Sequence, residues 1–263
     1  MVASSFALIA PPAHAADPIE VNLLGTNDFH GRIQSNGVEA GAAVLAGAVK
    51  QIRAQHPNTV FSAAGDLIGA STFESFIAHD KPTLDALNEA GLEVSAVGNH
   101  EFDQGDDDLV NRVMKPESEA NPDGGAQWKY IGANVKMRDT GADALDPTFV
   151  KDFGAVQVGF VGAVTEHLPE LVSPGGIKDI TVTDIPTAVN AEANALKAEG
   201  VDLVVLLVHE GAPNTNCATM DDDPTSDFGS IIDGVNVPSG FLVVRDSRLV
   251  FTEAGSSVSG SSE

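Results

Sequence analysis

The sequence predicts an α/β layered domain with a buried sheet, on three observations. Short apolar runs alternate with amphipathic helical stretches along most of the chain. One run, Val201–Val208, is apolar without interruption, the pattern of a strand covered on both faces. Finally, several of these runs lead straight into polar residues of the kind that bind metals, as loops at the strand ends of open α/β sheets do.

In chain order, Val21–Gly25 reads as a strand and Ala42–Gln55 as a helix, with Val44, Leu45, Ala48, Val49 and Ile52 at helical spacing. Thr59–Ala63 is a second strand, followed by helical stretches around Thr72–Ala78 and Pro82–Ala90. Glu93–Val97 is a third strand. Ile131–Val135, Thr148–Phe153 and Val156–Val164 read as further strands, Ile185–Glu199 as a helix and Val201–Val208 as a buried strand. Asn214–Asp233 is acidic and turn-rich, and Asp221-Asp222-Asp223 lacks the glycine and closing glutamate of a calcium loop. Gly240–Glu253 suggests two short strands around Arg245-Asp246-Ser247, and Gly255–Glu263 is a Ser/Gly tail with nothing to pack.

The ends of the chain read differently from its middle. Met1–Ala16 is small and apolar and ends in Ala13-His14-Ala15, which resembles a signal-peptidase site. The expectation is an exported protein, periplasmic, cell-wall-associated or extracellular, with Ala16 or Asp17 as its mature start. Residues 17–236 then form one domain and 237–263 an atypical ending, with no boundary that would give a second independent domain.

Composition narrows the function. The 263 residues carry 14 basic and 38 acidic side chains, a net charge of −24 and a pI near 4.3. That balance argues against a nucleic-acid binder and against an anionic membrane surface. At 43% hydrophobic residues the chain is not disordered by composition. A single cysteine, Cys217, rules out an internal disulfide framework and a cysteine-based zinc ribbon. Any metal must therefore be held by His, Asp, Glu, Asn or Gln. No run of 18 apolar residues exists to span a membrane.

The polar strand ends are Asn27-Asp28-Phe29-His30-Gly31, Gly65-Asp66, Gly98-Asn99-His100-Glu101-Phe102-Asp103 and His209-Glu210-Gly211. Asp28 and His30 lie two apart, so an extended chain would point them to one side. Singly, each signal has an ordinary explanation: Gly-Asp is a common turn, and a histidine ending an apolar strand is usually a core residue. The combination, in this order, is the metallophosphoesterase signature.

With Leu24-Gly25-Thr26 ahead of the first motif and Ala133-Asn134-Val135 between the others, the chain resembles the N-terminal domain of the 5′-nucleotidase / 2′,3′-cyclic phosphodiesterase family, within the calcineurin-like superfamily. The resemblance covers roughly Ile19–Val235, and Gly-Asn-His-Glu-Phe-Asp is its most specific piece. It implies a sandwich of two mostly parallel sheets flanked by helices. It also implies hydrolysis of phosphomonoesters such as 5′-nucleotides at two divalent ions. Asp28 and His30 would bind the first ion, Asn99 and His209 the second, and Asp66 would bridge them. His100 would sit at the phosphate, with Asp103 holding its ring and favouring the protonated form. Mixed oxygen and imidazole donors suit Zn, Mn, Fe or Co. Two ions would also give an acidic chain the local positive charge an anionic substrate needs. Arg32, just past His30, is a candidate phosphate contact or equally a solvated surface residue.

The chain departs from the family in two respects. The pattern normally continues with a further strand ending in Gly-His-x-His, and none of the seven histidines here follows His209. The substrate domain of this branch is likewise not found, which suggests a truncated or spliced product with Cys217 as an orphan. Two readings stay open: a phosphoester hydrolase with weakened metal binding, or a non-catalytic fragment or pseudoenzyme that keeps the fold. A thiosulfohydrolase of the same superfamily is a third. Substrate identity, the metals and the oligomeric state are not legible.

Overall fold

The computed structural model describes residues 19–214, 216, 219–220 and 222–236, together with the backbone of 241–245 and 248–252. The segment expected to be a leader with its cleavage site, Cys217, Asp221 and the Ser/Gly tail lie outside the described residues. The first sheet is built from β1 (Asn22–Thr26), β2 (Thr59–Ala63), β3 (Val94–Ala96) and β4 (Lys129–Ile131), all parallel and in that order. The helices between them are α1 (Ala42–Gln55), α2 (Phe73–Phe76) and α3 (Lys81–Ala90). After β3 come a 3₁₀ turn, His100–Phe102, the short helix α4 (Asp106–Asp108) and a π-helical turn, Leu109–Val113.

The remaining strands are β5 (Val135–Met137), β6 (Thr148–Asp152), β7 (Gln157–Val164), β8 (Ile180–Val182), β9 (Leu203–His209), β10 (Phe241–Arg245) and β11 (Arg248–Thr252). The second sheet runs β11-β10-β9-β7-β6, with β7, β9 and β10 parallel and antiparallel strands at both edges. β5 and β8 form a separate antiparallel pair. The helices of this half are α5 (Leu168–Leu171), α6 (Ile185–Ala198) and α7 (Asp227–Gly234).

Strand alternation sorts the core into three layers. Val60, Val94, Ala96 and Ile131 of the first sheet meet Val158, Phe160, Val205 and Leu207 of the second, which makes the sandwich interface. Their sequence neighbours point the other way. Phe61 and Ala63 pack on Val49, Leu84 and Leu87 of α1 and α3. Val204, Leu206 and Val208 pack on Val189, Leu196 and Phe228 of α6 and α7. Each such side chain removed from water contributes about 1.5–3 kcal/mol, which is why the register of β2 and β9 is fixed. The expected α/β sandwich of two sheets with helices outside is the fold observed. Among the described residues no helix is long and apolar enough to cross a membrane.

Some expectations need correction. Ile131–Val135 is not one strand: β4 ends at Ile131, and β5 begins at Val135 in a different sheet. Asn134 diverts the chain, because its buried amide accepts from Val164 N (3.0 Å) and donates to Val164 O (2.7 Å). Those bonds tie the turn to the end of β7. In α1, Ala46 and Val49 face the core while Val44 is 58% exposed, so its apolar stripe is narrower than the spacing suggested. Within the acidic stretch read as turns lies α7. Ser226 caps it by accepting from Gly229 N, and Phe228 and Ile231 bury its inner face. β8 and α5 had no sequence signal.

Candidate metal centre

The site forms where the carboxyl ends of β1, β2, β3 and β9 meet, as expected for ligands of a parallel α/β sheet. Asp28 and His30 do not lie on extended chain. Both take left-handed backbone, φ +48° and +45°, in a tight turn after β1. The turn is held by the next loop: Asp28 N donates to Gly65 O (3.1 Å) and His30 N to Asp66 O (3.2 Å). His30 still reaches Asp28, so the two residues meet through a turn where an extended strand was expected.

Asp66 is also left-handed, at φ +53°, and only 3% exposed. Gly65 ahead of it has φ +95°, and a side chain there would strike the backbone of Gly98, so the turn requires glycine. From this position the Asp66 carboxylate is central. Its Oδ1 accepts from the His100 amide (2.9 Å), while its Oδ2 lies 3.6 Å from His30 Nε2 and 3.2 Å from His209 Nε2. His30 Nε2 is 3.7 Å from Asp28 Oδ1.

Donor atoms of Asp28, Asp66 and His209 lie within 4.8 Å of one another, the only such acidic and histidine group among the described residues. A cavity of about 140 Å³ opens beside them, lined by Asn27, Asp28, Ala64, Val208, His209, Glu210 and Gly211. A larger one of about 310 Å³, around Phe102, Val110 and Ile180, holds none of these donors.

Both imidazoles are oriented to serve as ligands. His30 Nδ1 donates to Gly69 O (2.8 Å) and His209 Nδ1 to Ala64 O (2.9 Å), which leaves each Nε2 turned to the carboxylates. A backbone carbonyl on the far nitrogen is the usual way a metal-binding histidine is fixed. The charge pattern fits as well. His30 is raised in pKa, first by Asp28, and Asp28 is lowered, first by His30. Burial works to lower His209, but the Asp66 carboxylate outweighs it and the ring is raised to about 9. Two imidazole nitrogens turned to two carboxylates make a donor set that fits a divalent cation.

His100 stands beside the group, its ring edge-on to His30 with centroids 5.1 Å apart. Its Nδ1 donates to Asp103 Oδ2 (2.8 Å), and the same oxygen accepts from Ala70 N (3.1 Å). Asn99 opens the 3₁₀ turn between the Gly98 amide, bound to Glu101, and the His100 amide, bound to Asp66. Arg32 pairs with Glu39 (2.5 Å) on partly exposed side chains. His56, His79 and His167 pair with Glu20, Asp123 and Asp227 on the outside, as loop residues should.

Glu101 received no role from the sequence. It is 2% exposed and accepts from Asp66 N (2.8 Å), Leu67 N (2.8 Å) and Gly98 N (2.6 Å). Burial, and next the charge of Asp66, push it up to about 7 against those three donors. Its one sequence signal was a carboxylate directly before an apolar Phe102, within a motif that has to pack.

No protein-family model matches the chain. It is 34% identical over 80% of its length to a Bacillus subtilis protein named Endonuclease YhcR, of which it covers 18%. It is 32% identical over 76% to Listeria monocytogenes cell wall protein Lmo0130, covering 29% of that protein. Mouse 5′-nucleotidase is 28% identical over 77% of this chain and 36% of its own. The chain thus spans well under half the length of these relatives. Among solved structures, a calcineurin-like phosphoesterase, YfkN from Bacillus subtilis, superposes with a TM-score of 0.62 at 21% identity, over 85% of this chain and 71% of that one. A 5′-nucleotidase precursor from Thermus thermophilus gives 0.60 at 24% identity over 73% and 37%. These likenesses, together with the two-sheet fold and the motifs at its strand ends, show that the chain belongs to the calcineurin-like metallophosphoesterases, in the part that corresponds to the N-terminal domain of the 5′-nucleotidases.

Proposed function

We propose that this chain is a metal-dependent phosphoric ester hydrolase for small phosphomonoesters of the 5′-nucleotide type. The observation that carries the reading is the meeting of Asp28, His30, Asp66 and His209 at one point of the sheet rim. Asp28 and His30 would hold one ion and Asn99 and His209 the second, with Asp66, the buried carboxylate between them, shared by both. The mixture of carboxylate, amide and imidazole favours Zn, Mn, Co or Fe over Mg or Ca. When bound, such a pair supplies positive charge to the phosphoryl group and lowers the pKa of a water.

The chain's own residues do the positioning. With Nδ1–H committed to Asp103, His100 would turn Nε2 toward the phosphate, where its imidazolium form stabilises the charge growing on the leaving oxygen or gives that oxygen its Nε2 proton, leaving the neutral ring. Gly69 and Ala64 keep the two ligand imidazoles in the tautomer with a free Nε2. Arg32 reaches a phosphate only by releasing Glu39, a small cost for an exposed pair worth about 0–1 kcal/mol. The relatives named 5′-nucleotidase support a nucleotide substrate, while a net charge of −24 works against a polynucleotide track of the kind the name Endonuclease suggests.

Activity in these 263 residues should be weak. No histidine follows position 209 in these 263 residues, so by this assignment Asp28, His30 and Asp66 would serve one ion and Asn99, His209 and Asp66 the other. Removing even a partner behind a metal ligand costs about 10- to 100-fold in affinity or activity, and a missing ligand more. The second reading, a non-catalytic member that keeps the fold, rests on this same feature. Metal analysis after dialysis, paired with a screen of nucleoside monophosphates, cyclic nucleotides and nucleotide sugars, tests the proposal. The expected result is fewer than two tightly held ions and slow Mn- or Co-dependent hydrolysis that Asp66→Ala or His100→Ala abolishes. Turnover of AMP at ordinary rates of about 1–1,000 per second with two retained ions would overturn the impairment. Absence of metal binding and hydrolysis alike would favour the non-catalytic reading.

A further inference from the structure

Glu101 is 2% exposed, forms no ion pair among the described residues, and has a carboxylate that sits under the site. Oε2 accepts from the amides of Asp66 (2.8 Å) and Gly98 (2.6 Å), and Oε1 from the amide of Leu67 (2.8 Å) and the hydroxyl of Tyr130 (3.3 Å). Those donors come from the end of β2, the end of β3 and β4, three adjacent strands of the first sheet. A buried carboxylate costs several kcal/mol unless its lone pairs are used, and here four donors use them.

The geometry turns that bond set into a statement about the site. Asp66 is left-handed, a conformation that costs a residue with a side chain about 1–2 kcal/mol and persists only when its surroundings enforce it. Successive amides of Asp66 and Leu67 pointing at one anion form such an enforcement. The turn so fixed aims the Asp66 carboxylate at His30, His209 and the His100 amide. The same Glu101 oxygen that binds Asp66 N also binds Gly98 N, the residue before Asn99. We infer that Glu101 is a positioning residue: one buried carboxylate sets the Asp66 turn and the Gly98–Asn99–His100 turn in register with each other. The inference rests on the proposed metal centre for its consequence, since these two turns carry the bridging ligand and the second-ion ligand.

The test compares Glu101→Gln with Tyr130→Phe in the full chain. Glutamine keeps the shape but offers one acceptor oxygen and turns an NH₂ toward backbone donors, whereas phenylalanine removes only the hydroxyl on Oε1. Calorimetric Mn²⁺ titration should show affinity falling about 10- to 100-fold in Glu101→Gln. Tyr130→Phe should stay within about twofold of wild type even where its Tm falls. Wild-type affinity in Glu101→Gln overturns the inference, and so does an equal loss in both variants, which would mean general damage to the core. If Glu101→Gln does not fold, hydrogen exchange in wild type decides: the amides of Asp66, Leu67 and Gly98 should exchange together, through one opening. Independent, loop-like exchange at the three overturns it. Wild type that binds no Mn²⁺ sinks the metal reading instead, and the exchange result still stands for or against Glu101.

Discussion

The two sheets contribute to the site in opposite ways. The rim of the first sheet supplies Asp28, His30, Asp66, Asn99 and His100 from turns that follow β1, β2 and β3. Three of these residues hold left-handed backbone, and the turns are tied to one another by amide-to-carbonyl bonds and by Glu101. Among the described residues, the rim of the second sheet supplies His209 alone, the last residue of β9, whose position follows from the buried ladder with β7. In the first rim geometry is stored in loop hydrogen bonds and backbone strain; in the second it is stored in strand register. The same kind of donor can thus be placed by two mechanisms that fail differently.

The largest effect should come where the rims meet, at Asp66 and His209. In the chelator-treated chain His209 is raised to about 9 from an ordinary value of 6.5, so the folded state holds its proton more tightly than the unfolded. The pair with Asp66 therefore adds stability fully present below pH 6.5 and lost as pH rises through 9. The loss should be of order 2–3 kcal/mol, read by urea denaturation at pH 6 and pH 9.5. His209→Gln should flatten that dependence, and an unchanged slope would mean the two rims do not interact.

A smaller effect should follow a change confined to the first rim. A methyl at Gly98 would collide with the Asp66 carboxylate and approach the Asp66 amide to 2.7 Å. Gly98→Ala should cost about 1–3 kcal/mol in thermal unfolding and weaken Mn²⁺ binding as well, because the turn itself is displaced. A variant that loses stability yet binds Mn²⁺ like wild type would separate the rim's strain from its ligand geometry.

The smallest effect belongs to the exposed edge of the same rim. Arg32 and Glu39 form a surface pair, so Arg32→Ala should change stability by less than about 1 kcal/mol and leave Mn²⁺ affinity unaltered. A tenfold rise in KM for a nucleoside monophosphate would give Arg32 a place at the phosphate and extend the rim outward.

Much of this was legible in the residues themselves. Apolar runs at Thr59–Ala63 and Val201–Val208, and helical spacing over Ala42–Gln55 and Ile185–Glu199, predicted elements that the fold contains at nearly those limits. Five residues could be proposed as ligands because chemistry demands particular residue types at strand ends, and type and order survive in a linear reading; the fold brings donor atoms of three of them, Asp28, Asp66 and His209, within 4.8 Å of one another. Asn134 and Glu101 were not legible as devices: a buried amide that diverts a strand and a buried carboxylate that joins two turns differ from surface residues only in what surrounds them.

The sequence by itself determined the layers, because burying apolar side chains at a period of two on strands and 3.6 on helices leaves few ways to stack them. It also singled out the residues that we propose hold a cation. Only the tertiary structure decided how the donors meet. Asp28 and His30 turn back on left-handed backbone, and Asp66 is presented by a loop whose amides lie on Glu101, 35 residues further along the chain. His209 arrives from another sheet, with its far nitrogen on Ala64, 145 residues earlier. The reason is physical: strained turns and buried charges are tolerated only when distant parts of the chain supply the hydrogen bonds that stabilise them, and those partners exist only once the sheets have assembled.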